Sequence, residues 1–156
     1  MGRFLLAMGL LIGPGRAGDI PSFAVVVNQS NPTNELSLPD LRAMFEGLTR
    51  QWPHGQKVVL IERQPESPSF RFLTARLLNT SVIAYKRSLA TIEFSGQAPV
   101  LLKVLNSEET ACKYMFYVPG SIALVETDSL HSPECAQLKV LRIEGKLPAE
   151  KGYRLR

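Results

Sequence analysis

The sequence predicts an α/β domain in which helices flank a mainly parallel or mixed sheet. Short β-branched runs such as Phe23–Val27 alternate along the chain with amphipathic helical patterns, and no linker or repeat separates them. The 156 residues, 45% of them hydrophobic, provide enough apolar material for the core of one domain. Because right-handed crossovers join strands that alternate with helices, most strands are expected to run parallel.

The first half of this pattern contains two strands and two helices. The strand at residues 23–27 is apolar throughout, which is typical of a strand buried on both faces. The first helix is expected to begin after Ser37, with Asp40 as the reciprocal partner of this cap. Its predicted buried face is Leu41, Met44, Phe45 and Leu48. The second strand is predicted at residues 58–61, and the second helix begins with Ser67 as cap and Pro68 at its first position.

The second half adds two helices and two strands. The third helix is predicted over residues 82–92, and Ser107 is expected to cap the fourth. Glu108 and Glu109 then lie at the positive end of the dipole of this helix. Apolar, β-branched runs predict strands at residues 122–125 and 138–143.

The N-terminal segment differs from the rest of the chain. Arg3 precedes an apolar run at residues 4–12, and small residues follow up to Ala17, which is the order of a secretory signal. The apolar run is shorter than the roughly 20 residues of a membrane-spanning helix. We therefore expect a signal peptide at residues 1–17 and an exported domain, periplasmic or secreted, at residues 18–156. The alternative is a buried N-terminal strand or helix.

The charge of the chain argues against nucleic-acid binding. The formal net charge is +4, but Arg3 and Arg16 lie in the predicted signal, and without them 16 basic residues face 14 acidic ones. No cluster of lysines and arginines is present, whereas binding to a phosphate backbone needs several basic groups on one face.

The residues between the second strand and second helix form a candidate anion site. Arg63 follows the strand, and Ser67 and Ser69 open a helix whose first amides carry partial positive charge. A guanidinium, two hydroxyls and several amides suit a tetrahedral oxyanion. The alternative is that the serines only cap the helix and that Arg63 pairs with Glu62 or Glu66.

Several landmarks of the chain resemble, in their order and spacing, the substrate-binding proteins of phosphate ABC importers and their short standalone relatives. These landmarks are Asn31-Pro32, residues 36–47, Trp52-Pro53-His54-Gly55, Phe94-Ser95-Gly96 and residues 119–125. The resemblance implies one lobe of a type II periplasmic-binding-protein fold and binding of phosphate or a similar oxyanion. It also implies a membrane transporter or another envelope protein as a partner.

Within this resemblance, Arg63, Ser67 and Ser69 match the arginine, serine and threonine with which the family binds phosphate. Pro68 stands where the family has glycine and removes one amide donor. Full-size receptors close two lobes around the ligand, whereas this chain provides material for one. The loop residues Asn28 and Ser30 are expected either to complete the pocket from the opposite side or to form an ordinary turn.

The remaining motifs predict no catalysis and no cofactor. Cys112 and Cys135 are expected to form a disulfide in an exported protein, with two free thiols as the alternative. A zinc site with His131 is disfavoured because no close cysteine or histidine pair is present. No nucleophile elbow, P-loop or dinucleotide fingerprint occurs. The sequence thus predicts a non-enzymatic oxyanion-binding protein, or else an interaction module that has kept the fold and lost the ligand; oligomeric state stays open.

Overall fold

The computed structural model describes residues 21–156, so the predicted signal segment at residues 1–17 lies outside the described residues. The strands are β1 Phe23–Val27, β2 Glu35–Leu36, β3 Val59–Arg63, β4 Leu101–Leu105, β5 Ser121–Glu126, β6 Lys139–Val140 and β7 Arg142–Ile143. The helices are α1 Leu38–Phe45, α2 Pro68–Arg71, which continues as a π-helix over Phe72–Leu77, α3 Val82–Phe94 and α4 Glu108–Phe116. Short 3₁₀ turns follow β5 at Thr127–His131 and Cys135–Gln137.

The central sheet is mixed and has the strand order β4-β3-β5-β1-β6. β3 pairs in parallel with β4 and β5, whereas β1 lies antiparallel to both β5 and β6. β2 and β7 form a separate parallel pair. The α/β class is therefore the one predicted, and the antiparallel β1 makes the sheet mixed.

Alternating residues of the strands place a core on each face of this sheet. Val25 and Val27 of β1 pack with Leu60 in the cluster that contains α1, α2 and Tyr85 of α3. Ala24 and Val26 pack in the second cluster, which contains Cys112 and Met115 of α4. All five residues of β1 are buried, which confirms the prediction of a strand covered on both faces.

The predicted cap of α1 is present, but its last predicted core residue is not buried. Ser37 Oγ accepts a hydrogen bond from the Asp40 amide at 3.2 Å and donates one to the Asp40 carboxylate at 2.7 Å. Leu48 is 67% exposed, which corrects the prediction that it lies on the buried face. The helix ends at Phe45 and Gly47 adopts φ +74°, so the helical spacing no longer applies at Leu48.

The sheet differs from the sequence prediction in two places. β4 is not predicted by the sequence, and its middle residues are exposed because it lies at the edge of the sheet. The single strand expected at residues 138–143 divides into β6 and β7, which belong to different sheets. At the division, the Leu141 amide donates to the Val25 carbonyl at 2.9 Å, and the chain turns away from the central sheet.

A disulfide joins Cys112 of α4 to Cys135, with the sulfurs 2.05 Å and the Cα atoms 5.0 Å apart. It links α4 to the 3₁₀ turn before β6. Both cysteines are buried, so the bond lies within the core on the α4 face of the sheet.

Candidate functional site

The predicted site lies at the edge of the sheet where the parallel strands end. Arg63 at the end of β3 lies in register with Leu105 at the end of β4. Two helices begin beside this edge, α2 with Ser67 as its cap and α4 with Ser107. In open α/β sheets, this edge is where ligands bind.

The hydroxyls of Ser67 and Ser69 contact mainly groups within the first turn of α2 and the loop before it. Ser67 Oγ accepts from the Phe70 amide at 3.3 Å and donates to the Gln64 carbonyl at 2.8 Å. The Ser69 hydroxyl lies 3.5 Å from the Ser67 hydroxyl, and the two residues are only 3% and 7% exposed. The capping role of Ser67 is therefore realised, and the hydroxyl of Ser69 keeps most of its capacity to form hydrogen bonds.

In the first turn of α2, the Phe70 and Arg71 amides donate hydrogen bonds, whereas the Ser69 amide does not. The Phe70 amide donates to the Ser67 side chain, and the Arg71 amide donates to the Ser67 carbonyl at 3.0 Å. Pro68 has no amide hydrogen to donate. Among the hydrogen bonds of residues 21–156, the Ser69 amide has no acceptor, which is expected for the second residue of a helix.

Arg63 spans the end of the neighbouring strand. Its Nε donates to the Leu105 carbonyl at 3.2 Å and its Nη2 to the Asn106 carbonyl at 3.0 Å. Within the described residues it forms no ion pair with Glu62 or Glu66. A guanidinium has five N–H donors, so Arg63 retains donors and an unpaired charge at this edge.

The enclosed space between these groups is small. A cavity of about 10 Å³ is lined by Arg63, Ser69, Phe70 and their core neighbours. This volume suffices for about one water molecule. A tetrahedral oxyanion would therefore have to dock on the outer side of this corner.

Acidic groups lie near Arg63 at the same edge. The Glu108 carboxylate accepts hydrogen bonds from the Glu126 amide, at 3.0 Å, and from the Ser129 hydroxyl. Burial raises the pKa of the Glu126 carboxyl, Glu108 and Asp128 raise it further, and Arg63 lowers it. Arg63 thus neutralises part of a local negative field, which weakens its attraction for an external anion.

Asn28 and Ser30 lie at the opposite edge of the sheet, which corrects the expectation that they complete the pocket. Val27, which precedes Asn28, is in register with Ile122 at the start of β5, whereas Arg63 ends the parallel strand β3. The Asn28 amide group donates to the Met115 and Phe116 carbonyls at 2.7 and 2.9 Å, and its oxygen accepts from Ser30. The loop therefore forms a turn that caps the end of α4, which agrees with the alternative expectation of an ordinary turn.

Glu62 is a buried carboxyl group whose environment the sequence prediction missed. It is 6% exposed and forms a hydrogen bond with the Tyr85 hydroxyl, which also lies 2.9 Å from the Phe45 carbonyl. A hydroxyl has one hydrogen, so both contacts are satisfied when a protonated Glu62 donates to Tyr85. Burial raises the pKa of Glu62 to about 7, although Tyr85 and Lys86 lower it in part. The alternation of β3 could have indicated this, since Leu60 and Glu62 share a face.

Residues 21–156 contain no group of three or more histidine, cysteine or acidic side chains arranged to hold a metal ion. The helices in the same part of the chain also lack the length and apolarity needed to cross a membrane.

No family model matches the chain, and no curated protein matches it. Several solved structures do. PstS from Borrelia burgdorferi superimposes with a TM-score of 0.69 at 14% identity, covering 86% of this chain and 54% of that protein. An ABC-type phosphate transport receptor from Vibrio cholerae gives 0.66 at 20% identity, covering 86% and 53%. A phosphate-binding protein from Stenotrophomonas maltophilia gives 0.59 at 15% identity, covering 82% and 40%.

This chain spans about half of the length of the first two of these structures. At these identities the likeness concerns the fold, because ligand specificity depends on individual site residues. The chain therefore has the fold of one lobe of the phosphate transport receptors.

Proposed function

We propose that this protein is a non-enzymatic receptor for phosphate or a similar tetrahedral oxyanion. One observation carries the proposal: in the fold of a phosphate-receptor lobe, the unpaired guanidinium of Arg63 lies at the same sheet edge as the start of α2. The proposed ligand groups are Arg63, the hydroxyl and amide of Ser69, and the hydroxyl of Ser67, which would have to exchange its hydrogen bond to the Gln64 carbonyl for one to the anion.

Recognition would rest on charge-assisted hydrogen bonds without turnover. Arg63 supplies the charge, and the start of α2 supplies amide donors and the positive end of its dipole. The outer side of the corner is open, so the bound anion keeps part of its hydration. We expect weaker binding than in a receptor that encloses its ligand between two lobes.

Export and a membrane partner belong to the same proposal. The disulfide between Cys112 and Cys135 supports an oxidising compartment, since such bonds persist outside the cytosol. With a signal peptide at residues 1–17, the domain would act in the periplasm or outside the cell. It would deliver its ligand to a membrane transporter or another envelope protein.

A second candidate function is an interaction module that keeps this fold without a ligand. The small cavity at the corner and the carboxylates of Glu108 and Glu126 beside Arg63 favour it. Pro68, which withholds one amide, favours it as well.

Calorimetric titration of the purified protein with phosphate, sulfate and molybdate separates the two candidates. The receptor proposal predicts saturable binding that Arg63→Ala weakens by at least about a hundredfold, the loss expected for a charged hydrogen-bond donor. Arg76→Ala is the matched control, because Arg76 is exposed and lies in the π-helix after α2. An absence of heat with all three anions would favour the interaction module.

A further inference from the structure

A groove of about 440 Å³ lies at the end of the sheet where the parallel strands begin. Lys57 lies two residues before β3, and Leu101 is the first residue of β4. The other lining residues come from the segment after α1 and from the loop before β4, and they are Leu48, Thr49, Arg50, Gln51, Ala98 and Pro99. The volume is in the range of small-molecule sites. We call this surface the groove of Arg50 and Lys57.

The two charged residues of this groove are both basic. Arg50 Nη1 donates to the Ala98 carbonyl at 2.5 Å, and its Nη2 donates to the side-chain oxygen of Gln97 at 2.7 Å. These bonds hold the guanidinium in place and leave it three of its five N–H donors. The Lys57 side chain is exposed. Within residues 21–156, neither Arg50 nor Lys57 forms an ion pair.

No acidic residue among the described residues lines the groove to balance these charges. The acidic residues nearest along the chain to the first lining segment are Glu46 and Glu62, and those nearest to the second are Glu93 and Glu108. Glu62 and Glu93 line a different groove, beside α3. The lining therefore carries two positive charges, and it favours a negatively charged occupant.

The same groove contains apolar groups held in fixed positions. Leu48 is apolar but 67% exposed. The Leu48 and Thr49 amides both donate to the Ala43 carbonyl, at 2.9 and 3.0 Å, which fixes the backbone of this segment. Pro99 and Leu101 supply apolar surface from the second segment, and Leu101 is held by its pairing with Val59 of β3. The groove is therefore formed before any ligand binds.

We propose that the groove of Arg50 and Lys57 binds a small organic anion in which a carboxylate is attached to an aliphatic chain. The carboxylate accepts charge-assisted hydrogen bonds from the two basic side chains. The chain covers Leu48 and Leu101 and removes their apolar surface from water. An inorganic anion would leave this apolar surface exposed, whereas a neutral apolar molecule would leave both charges unpaired.

This site is separate from the proposed oxyanion site. Lys57 precedes β3 and Arg63 ends it, so six residues of extended chain, about 20 Å, separate the two positions. Arg63→Ala should therefore leave carboxylate binding in the groove unchanged. The failure of one proposal is thus distinguishable from the failure of the other.

Titration of the ¹⁵N-labelled protein with octanoate, at constant pH and ionic strength, tests the proposal. We expect saturable shifts of the Leu48, Thr49 and Leu101 amides. Acetate has the same charged group without the chain, and it should bind at least about tenfold more weakly. Octyltrimethylammonium has the same chain with the opposite charge, and it should give no saturable shifts at these amides.

Two substitutions at exposed positions separate the contributions of charge and chain. Lys57→Glu should weaken octanoate binding by at least about tenfold, because a repulsion replaces an attraction. Leu48→Ser should weaken it by about fivefold through lost apolar contact. Lys151→Glu is the matched control, since Lys151 is exposed and does not line the groove, and it should leave the affinity within about twofold.

The circular dichroism spectra of all three variants should match that of the unmodified protein. The proposal is overturned if octanoate gives no saturable shifts in the groove or if octyltrimethylammonium binds there equally well. Octanoate binding that acetate matches, or that Lys57→Glu leaves unchanged, would overturn it as well.

Discussion

Glu62 shows how one buried side chain makes the stability of the domain depend on pH. Its pKa lies at about 7 in the folded protein, against 4.5 for an exposed glutamate. Between these values the folded state holds a proton that the unfolded state has released. Stability is therefore highest below the unfolded pKa and falls as pH rises through the folded one.

We expect the free energy of unfolding to fall by up to roughly 3 kcal/mol between about pH 5 and pH 8. Urea unfolding at the two pH values measures the difference. Glu62→Gln should remove most of it, whereas Glu66→Gln, at an exposed neighbouring position, should leave it unchanged. The explanation fails if Glu62→Gln retains the full dependence on pH.

Gly120 connects two segments that are distant in sequence. Its carbonyl accepts from the Trp52 indole at 2.9 Å and from the Val59 amide at 3.0 Å. Its φ is +82°, and a Cβ at this position would lie 2.2 Å from the Lys57 carbonyl oxygen. Only glycine satisfies both the backbone conformation and the close approach.

Gly120→Ala is therefore expected to destabilise the fold by about 3 kcal/mol or more, the cost of left-handed strain plus a backbone displacement. Gly55→Ala is the matched control, since Gly55 has φ +91° but a Cβ added there would have no atom within 4 Å. It should cost only about 1 kcal/mol. Equal losses in thermal unfolding would mean that the close approach to Lys57 does not matter.

At the scale of elements, the start of α2 sets the number of backbone amide donors at the proposed oxyanion site. Pro68 stabilises the first turn through its fixed φ, but it contributes no amide hydrogen. Pro68 therefore favours the start of the helix but leaves one fewer amide donor for an anion.

Pro68→Ala returns an amide to this turn, and we expect it to strengthen phosphate binding by about tenfold, the contribution of one charge-assisted hydrogen bond. Calorimetric titration of the variant measures the change. In the background of Arg63→Ala, the same substitution should give little gain. An unchanged affinity in the otherwise unmodified protein would mean that the anion does not contact the first turn of α2.

The elements that can be predicted from sequence are those with strong local signals. The serine caps of α1, α2 and α4 and the apolar run of β1 depend on neighbouring residues and are confirmed. β4 escapes prediction because it is an edge strand, whose exposed side chains follow no clear pattern of burial. The sequence did not indicate that Asn28 lies at the sheet edge opposite Arg63. This position follows from the antiparallel pairing of β1 with β5, which is a long-range property.

At the scale of the whole molecule, the chain has the fold of one receptor lobe, and the proposed oxyanion site lies at an open corner of it. Its mixed sheet, which has a core on both faces, holds Arg63 and the start of α2 at one edge. A second basic region exists elsewhere, where Arg50 and Lys57 line a groove of about 440 Å³. A measured anion-binding signal therefore has to be assigned to a place on the molecule before it supports the proposed site.

Titration of the ¹⁵N-labelled protein with phosphate, followed by amide chemical shifts at constant pH and ionic strength, makes this assignment directly. We expect the largest shifts at the Ser69 and Phe70 amides and at the Arg63 side chain, and we expect them to saturate together. Shifts confined to the groove of Arg50 and Lys57, or no saturable shifts at all, would contradict the proposed oxyanion site.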